Sequence, residues 1–587
     1  MSPTTSITKL AASTEAAATR PDPVTTAELI LTRLGDHKVG ILFEDETYTW
    51  DTYVRESIRR SHLLLDRIDP SRPPHVGILM GNRPEYLFVW GAAALAGLTL
   101  VSLNATRRGQ ELADDVVATD CQLVLVGADE RDSLAALGGG GEVGDDGGDG
   151  GVQAKVPVLD VDSADYRDEV AAQDDHTPPE APAAYDPATI LMMQFTSGST
   201  GRPKAALCST GRFAFAAGYG LGGLTRDGVA YNAMPLFHSN ALLACWASPL
   251  YLGSGFALAR RFSASGFLDD LLKFRATYFN YVGRVLSYLL AQPERPEEKQ
   301  TALRAVWGTE ATTRDRSEFA RRFGVEPFES YGSSEGGLNL VRTPDTPEDA
   351  LGLPPTVVTY EAAVLDPFTL AEKPRARFGD NHTILNPEEA IGELVALGNA
   401  STFEGYYQDP AATAERTREG HFWTGDLGYR DEAGFFYFAG RGGDRFRVDG
   451  ENFTAAPIER IIGRYGRTLL AAVYPVPDEV SGDQVMLALQ LDGDAPFDPR
   501  DFGRFLEAQP DLGTKWIPRY VRIVSALPVT ATNKINKPAL RREYWDTSDE
   551  VWERSDRQFT YTRLGDERRN EIRATYVESG REPLLKR

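Results

Sequence analysis

Thr196, Ser197, Gly198, Ser199, Thr200, Gly201 and Lys204 fall within nine consecutive residues, a combination that could cradle a polyphosphate. Small side chains leave backbone N–H groups open, and glycine permits turns that a Cβ would block. Such donors together with a cation make an anion site. The spacing is not the G-x-x-x-x-G-K-[ST] of P-loop NTPases, because Ala205 follows Lys204. A Mg²⁺ ligand must then come from elsewhere in the chain. A flexible Ser/Gly linker is the plain alternative. A linker, however, needs neither the apolar run at 190–193 nor the Pro203-Lys204 pair.

Residues 196–204 resemble the phosphate loop of the adenylate-forming superfamily: acyl- and aryl-CoA synthetases, luciferases and the adenylation domains of peptide synthetases. That loop reads (S/T)-(S/T/G)-G-(S/T)-T-G-x-P-K. Further motifs in the superfamily's order extend the resemblance from about residue 40 to about residue 540. Pro235-Leu236-Phe237-His238 resembles "P-L-F-H", which implies that His238 lines the site as a positioning group rather than a general base. Gly308, Thr309 and Glu310 stand where the superfamily's loop packs on adenine, and Gly308 would let the base come close to the backbone. Tyr331-Gly332-Ser333-Ser334-Glu335 resembles "Y-G-x-T-E" with Ser334 in the threonine's place. The resemblance implies that Tyr331 stacks on adenine, Ser334 faces phosphate and Glu335 holds Mg²⁺, with Thr196 adding a hydroxyl to the metal. A hard cation needs an anionic oxygen there.

Thr424-Gly425-Asp426 resembles "T-G-D", which implies that Asp426 accepts both hydroxyls of the ribose. Arg441 would hold ribose or phosphate oxygens, and the hinge to the small domain falls on Gly443, where relatives often carry Asp or Lys. Gly absorbs the large φ/ψ changes a hinge demands. Near the end, Lys534 aligns as the catalytic lysine, although Asn533 stands where relatives usually have Gly; Lys537 lies close enough to be confused with it. The wording G-D-x-F-R-x-x-G-E-N at 443–452 is narrower. It looks like the branch of very-long-chain acyl-CoA synthetases and fatty-acid transport proteins, which includes actinobacterial fatty-acid and sterol side-chain CoA ligases.

The elements that must hold these residues can be read in outline. Residues 43–50 alternate about an acidic turn and predict a hairpin, and helical periodicity follows to about Leu65. Strands are predicted at 75–80, 98–103 and 121–126, with a helix opened by Pro84 and closed at Gly97 between the first two. This alternation predicts parallel βαβ units. Residues 278–290 are apolar and aromatic; core is their default reading, and an acyl pocket the alternative. The expected fold is therefore α/β: a large N-terminal adenylate-forming domain with βαβ-type sheets plus a β-barrel-like subdomain, and a small mobile α+β C-terminal domain. Expected boundaries are a disordered lead-in at 1–25, the AMP-binding domain at 26–440 with a Gly/Asp-rich surface insertion at 138–151, the small domain at 441–545 and a charged extension at 546–587.

Composition narrows the classes. A chain of 587 residues is too long for one core. Its net charge of −23 argues against a general nucleic-acid binder while leaving room for a local anion site. Cys121, Cys208 and Cys245 are odd in number and scattered, which points to a reducing cytoplasm. The apolar stretch at 89–101 is too short to span a bilayer. No membrane span is expected; peripheral membrane contact and a homodimer stay open. The expected activity is ATP- and Mg²⁺-dependent conversion of a lipophilic acid, a long- or very-long-chain fatty acid or a steroid side-chain carboxylate, to its CoA thioester through acyl-AMP. Two alternatives are an acyl-AMP ligase that loads a carrier protein and a non-catalytic lipid-uptake protein.

Overall fold

The computed structural model describes residues 24–137, 156–196, 203–218, 223–283, 285–356, 358–379, 384–441, 445–448, 451–478, 483–493, 495–509, 512–530, 534–554, 558–579 and 581–582. The lead-in up to residue 23 and the Gly/Asp-rich insertion lie outside them.

Two mostly parallel sheets form the body. The first has six strands in the order Val158–Asp160, Leu123–Val126, His75–Leu79, Thr99–Ser102, Ile190–Thr196 and Lys204–Ser209. All neighbours are parallel except the last pair. The second has eight strands, and its parallel centre includes Tyr278–Val282, Ala305–Thr309 and Pro327–Tyr331. The expected hairpin is its edge: Val39–Phe43 turns through Glu44, at φ 52°, into Glu46–Thr49.

Two helices fill the space between the sheets. Trp50–Leu65 starts where Thr49 Oγ1 accepts the Thr52 N–H at 3.0 Å. Pro84–Ala96 opens with proline and stops at Gly97, whose φ of 65° suits a residue without Cβ. This second helix is buried all round, as its uniform apolarity requires. Their aromatics meet in the main core: Trp246 lies 5.4 Å from Trp50 and 5.3 Å from Tyr53, and Trp90 lies 4.6 Å from Phe213. Phe213 is on the helix Thr210–Gly218, which directly follows the strand Lys204–Ser209. Its burial, worth about 1.5–3 kcal/mol, ties that strand to the core.

A four-stranded antiparallel sheet, Glu361–Leu365, Gly392–Leu397, Phe422–Arg430 and Phe436–Arg441, forms the β subdomain. The C-terminal part has its own sheet of five strands: Thr468–Pro477, Asp483–Leu491, Tyr520–Ile523, Glu550–Arg554 and Tyr561–Arg563. The segment set apart in the sequence as a charged extension thus supplies two of these strands and the helix Asp566–Glu578. That helix buries only Ile572 and Tyr576 along 13 residues, too sparse a stripe to read from periodicity. Among the described residues no helix is long and apolar enough to cross a membrane.

Candidate functional site

The phosphate-loop candidate closes a hairpin. Strands Ile190–Thr196 and Lys204–Ser209 are antiparallel, with Thr196 opposite Lys204. Ser197, Gly198, Ser199, Thr200 and Gly201 lie outside the described residues. A second strand rather than a helix follows the loop, which separates it from a P-loop NTPase in structure as well as spacing. The Lys204 ammonium stands 5.4 Å from the centre of the Tyr406 ring.

Opposite lies the turn after Pro327–Tyr331. Ser334 Oγ is 2.6 Å from Ser239 Oγ, so this turn meets the residue beside His238. Arg212 donates to the Ser334 carbonyl at 2.9 Å and to the Leu207 carbonyl at 3.1 Å, which ties the turn to the hairpin. Arg212 could not be singled out beforehand, because one arginine on a helix carries no motif. Glu335 is buried and its Oε1 accepts the Tyr406 O–H at 2.9 Å. Tyr331 O–H donates to Asp426 Oδ2 at 2.7 Å. Asp426 in turn pairs in register with Arg441 across two strands. Beside it, Gly425 has φ 74°, and a Cβ there would collide with the Arg416 guanidinium; glycine is required on both counts.

The strand Ala305–Thr309 supplies the third wall. A Cβ on Gly308 would run into the Tyr281 ring of the neighbouring strand. That packing is a reason for the glycine beside the close approach of a base expected from the sequence. Beyond it Glu310 adopts φ 69°, in the left-handed region. The loop is held from behind: Glu329 Oε1 accepts the Ala311 N–H at 2.7 Å and the Tyr281 O–H at 3.1 Å.

His238 packs 4.6 Å from Phe237, and its Nε2 is buried without a hydrogen-bond partner among the described residues. Burial, followed by the nearby Lys534 charge, pushes its pKa down to about 4. Lys534 arrives from the C-terminal sheet domain, where the Thr530 N–H donates to the Lys534 carbonyl at 2.7 Å. Its Nζ lies 2.7 Å from Glu310 Oε1. Lys537 instead turns back to Glu459, at 3.0 Å, on the helix Ala455–Gly463 of its own domain. Both lysines line the same cleft, and the carboxylate that each meets tells them apart.

Thr196, Lys204, His238, Thr309, Glu310, Tyr331, Gly332, Ser333, Ser334, Glu335, Asp426 and Lys534 all line one cleft. Phe215, Leu243, Tyr251, Tyr278, Val282 and Trp307 add apolar and aromatic surface to its lining. Gly443 lies outside the described residues. Among the described residues no group of three or more His, Cys, Asp or Glu could hold a metal ion. Glu335, a buried carboxylate in the cleft lining, fits Mg²⁺, which commonly takes one or two carboxylates with the remaining ligands from substrate phosphates and water.

Two parallel-strand sheets, an antiparallel β subdomain and a C-terminal domain whose lysine enters the cleft define an adenylate-forming enzyme. The chain belongs to the AMP-binding enzyme family, which it matches over residues 31–407. It is 45% identical to the steroid-22-oyl-CoA synthetase of Rhodococcus jostii (strain RHA1) over 90% of this chain and 92% of that one. It is 43% identical to the medium/long-chain-fatty-acid–CoA ligase FadD17 of Mycobacterium tuberculosis (strain ATCC 25618 / H37Rv), over 91% and 99% respectively. The crystal structure of ATP bound MatB from Rhodopseudomonas palustris superposes with a TM-score of 0.75 over 89% of this chain and 99% of that one. Its 24% identity makes this a likeness of fold.

Proposed function

We propose that the chain joins a lipophilic carboxylic acid to CoA at the expense of ATP, releasing AMP and pyrophosphate. The observation that carries this reading is the entry of Lys534 from a separate domain into a cleft that already holds Lys204, Glu335 and Asp426. A carboxylate is a poor acyl donor because its oxygen leaves badly. Attack of one carboxylate oxygen on the α-phosphorus of ATP expels pyrophosphate and gives a mixed anhydride. The CoA thiol then attacks the carbonyl carbon, and AMP leaves with that oxygen. The protein's part is orientation and charge neutralisation.

The hairpin Thr196–Lys204 and the turn at 332–334 would receive the phosphates. Asp426, with Arg441, would take the ribose, and the Gly308–Glu310 loop and Tyr331 would flank adenine. Mg²⁺ would be held by Glu335, with Thr196 nearby, and would neutralise charge on the phosphates. Lys534 would neutralise the carboxylate and α-phosphate as they meet. The small domain would then turn about Gly443, withdrawing Lys534 and opening the way for CoA.

His238 would shape the junction between nucleotide and acid. With a pKa of about 4 it is neutral from about pH 5 upward, a weak base at working pH. The kcat profile between pH 5.5 and 8 should therefore carry no inflection that His238→Asn removes. An inflection lost in that variant would show that the imidazole exchanges a proton during turnover.

The aromatic and apolar side chains in the cleft lining and the names of the two close relatives support a long-chain fatty acid or a steroid side-chain acid as substrate. An acid panel scored by AMP release should give kcat/KM far higher for these than for acetate or benzoate. Acetate as the best substrate would overturn the assignment. Running the panel with and without CoA separates this reading from a ligase that stops at acyl-AMP or loads a carrier protein, since turnover should depend on CoA.

A further inference from the structure

We propose that Tyr406 is a positioning residue that fixes Glu335 relative to Lys204 and so sets how strongly Mg²⁺ improves nucleotide binding. This rests on the nucleotide reading given above. Tyr406 is 5% exposed and touches both groups: its hydroxyl donates to Glu335 Oε1 at 2.9 Å, and its ring faces the Lys204 ammonium at 5.4 Å. A cation over a tyrosine face is attracted by the ring quadrupole. A phenol has one proton to give, and here it goes to one oxygen of the carboxylate.

The backbone gives Tyr406 little freedom. Its N–H donates to Thr413 Oγ1 at 3.0 Å. The Leu207 N–H donates to the Gly405 carbonyl at 3.0 Å, and the Tyr407 N–H to the Ala205 carbonyl at 2.9 Å. Residues 405–407 thus run along the outer edge of the strand Lys204–Ser209. The Phe403 ring packs edge-on at 5.0 Å. Two opposite charges, Lys204 and Glu335, share this neighbourhood with Arg416, whose charge acts on both Tyr406 and Glu335. Without the phenol, Glu335 is drawn toward these cations and away from an incoming metal. With it, the carboxylate is oriented and Lys204 is kept over the ring. Groups that orient a metal-binding carboxylate typically matter 10–100-fold for metal affinity.

The test measures ATP binding to the full chain by calorimetry, once with Mg²⁺ and once with a chelator. Tyr406→Phe keeps the ring and loses the hydroxyl. Its metal-free ATP affinity should stay within about twofold of the parent, since the Lys204 contact remains. The gain in affinity on adding Mg²⁺ should shrink by about 10–100-fold. Tyr406→Leu removes the ring as well, and should weaken metal-free binding several-fold in addition. Steady-state kinetics should show Tyr406→Phe raising the KM for MgATP more than it lowers kcat, with excess Mg²⁺ restoring part of the loss. An unchanged Mg²⁺ gain in Tyr406→Phe, or equal weakening with and without metal, would overturn the proposal. If the parent chain itself binds no ATP, the nucleotide reading fails, which is a different result from a parent that binds and a variant that matches it.

Discussion

Lys534→Ala should lose formation of acyl-AMP from acid and ATP by about 10²–10³ in rate while still turning supplied acyl-AMP and CoA into thioester near the parental rate. The size follows from removing one charge-stabilising contact made in the transition state. The selectivity follows from placement. Lys534 is carried by the C-terminal domain and reaches the cleft across the domain boundary, where its ammonium lies 2.7 Å from Glu310. A group made useful by one domain orientation contributes to one half-reaction. A contact made only in the transition state shows its loss in rate rather than in ATP affinity alone, and that is the expected pattern here. Lys537→Ala is the control. Its ammonium lies 3.0 Å from Glu459 inside its own domain, so both half-reactions should change little. Equal loss of both half-reactions in a folded Lys534→Ala would contradict the domain-rotation account. A selective defect in Lys537→Ala would mean that the wrong lysine has been assigned.

The second large effect concerns the nucleotide. Glu335→Gln keeps size and the ability to accept the Tyr406 hydroxyl but removes the charge from a buried oxygen. MgATP turnover should fall about tenfold or more, consistent with hydrogen-bond and charge contacts of roughly 1.5–3 kcal/mol, with the melting temperature preserved. Asp426→Ala should behave differently. It loses a group hydrogen-bonded to Tyr331 and aimed at the same cleft, so the KM for ATP should rise while the apparent Mg²⁺ requirement stays put. Unchanged ATP kinetics in both variants would place the nucleotide site elsewhere.

Residues close in sequence were the legible ones. Pro84 and Gly97 bracket a helix because their backbone preferences are local, and the structure starts and stops it there. Lys204, Glu335, Asp426 and Lys534, singled out by the order of motifs, line one cleft. What stayed hidden depends on contacts between distant segments. Arg212 and Tyr406 act on Ser334 and Glu335 from 122 and 71 residues away, and neither carries a pattern of its own. The packing demand on Gly308 was also out of reach, because it comes from the Tyr281 ring on the adjacent strand. Lys534 and Lys537 differ only in which carboxylate each meets, Glu310 or Glu459, and that is a fact of tertiary packing. The C-terminal strands Glu550–Arg554 and Tyr561–Arg563 were masked by charge, since a short edge pair buries few apolar residues.

Isotope transfer from the acid to the nucleotide tests the central claim most directly. A long-chain or steroid side-chain acid labelled with ¹⁸O in both carboxylate oxygens is turned over with ATP and CoA, and the products are weighed by mass spectrometry. Attack of the carboxylate on the α-phosphorus leaves one of its oxygens bonded to that phosphorus when the thiol displaces AMP. The account predicts one ¹⁸O in each AMP, one retained in the thioester carbonyl and none in pyrophosphate. Unlabelled AMP, or label appearing in inorganic phosphate alongside ADP, would contradict it.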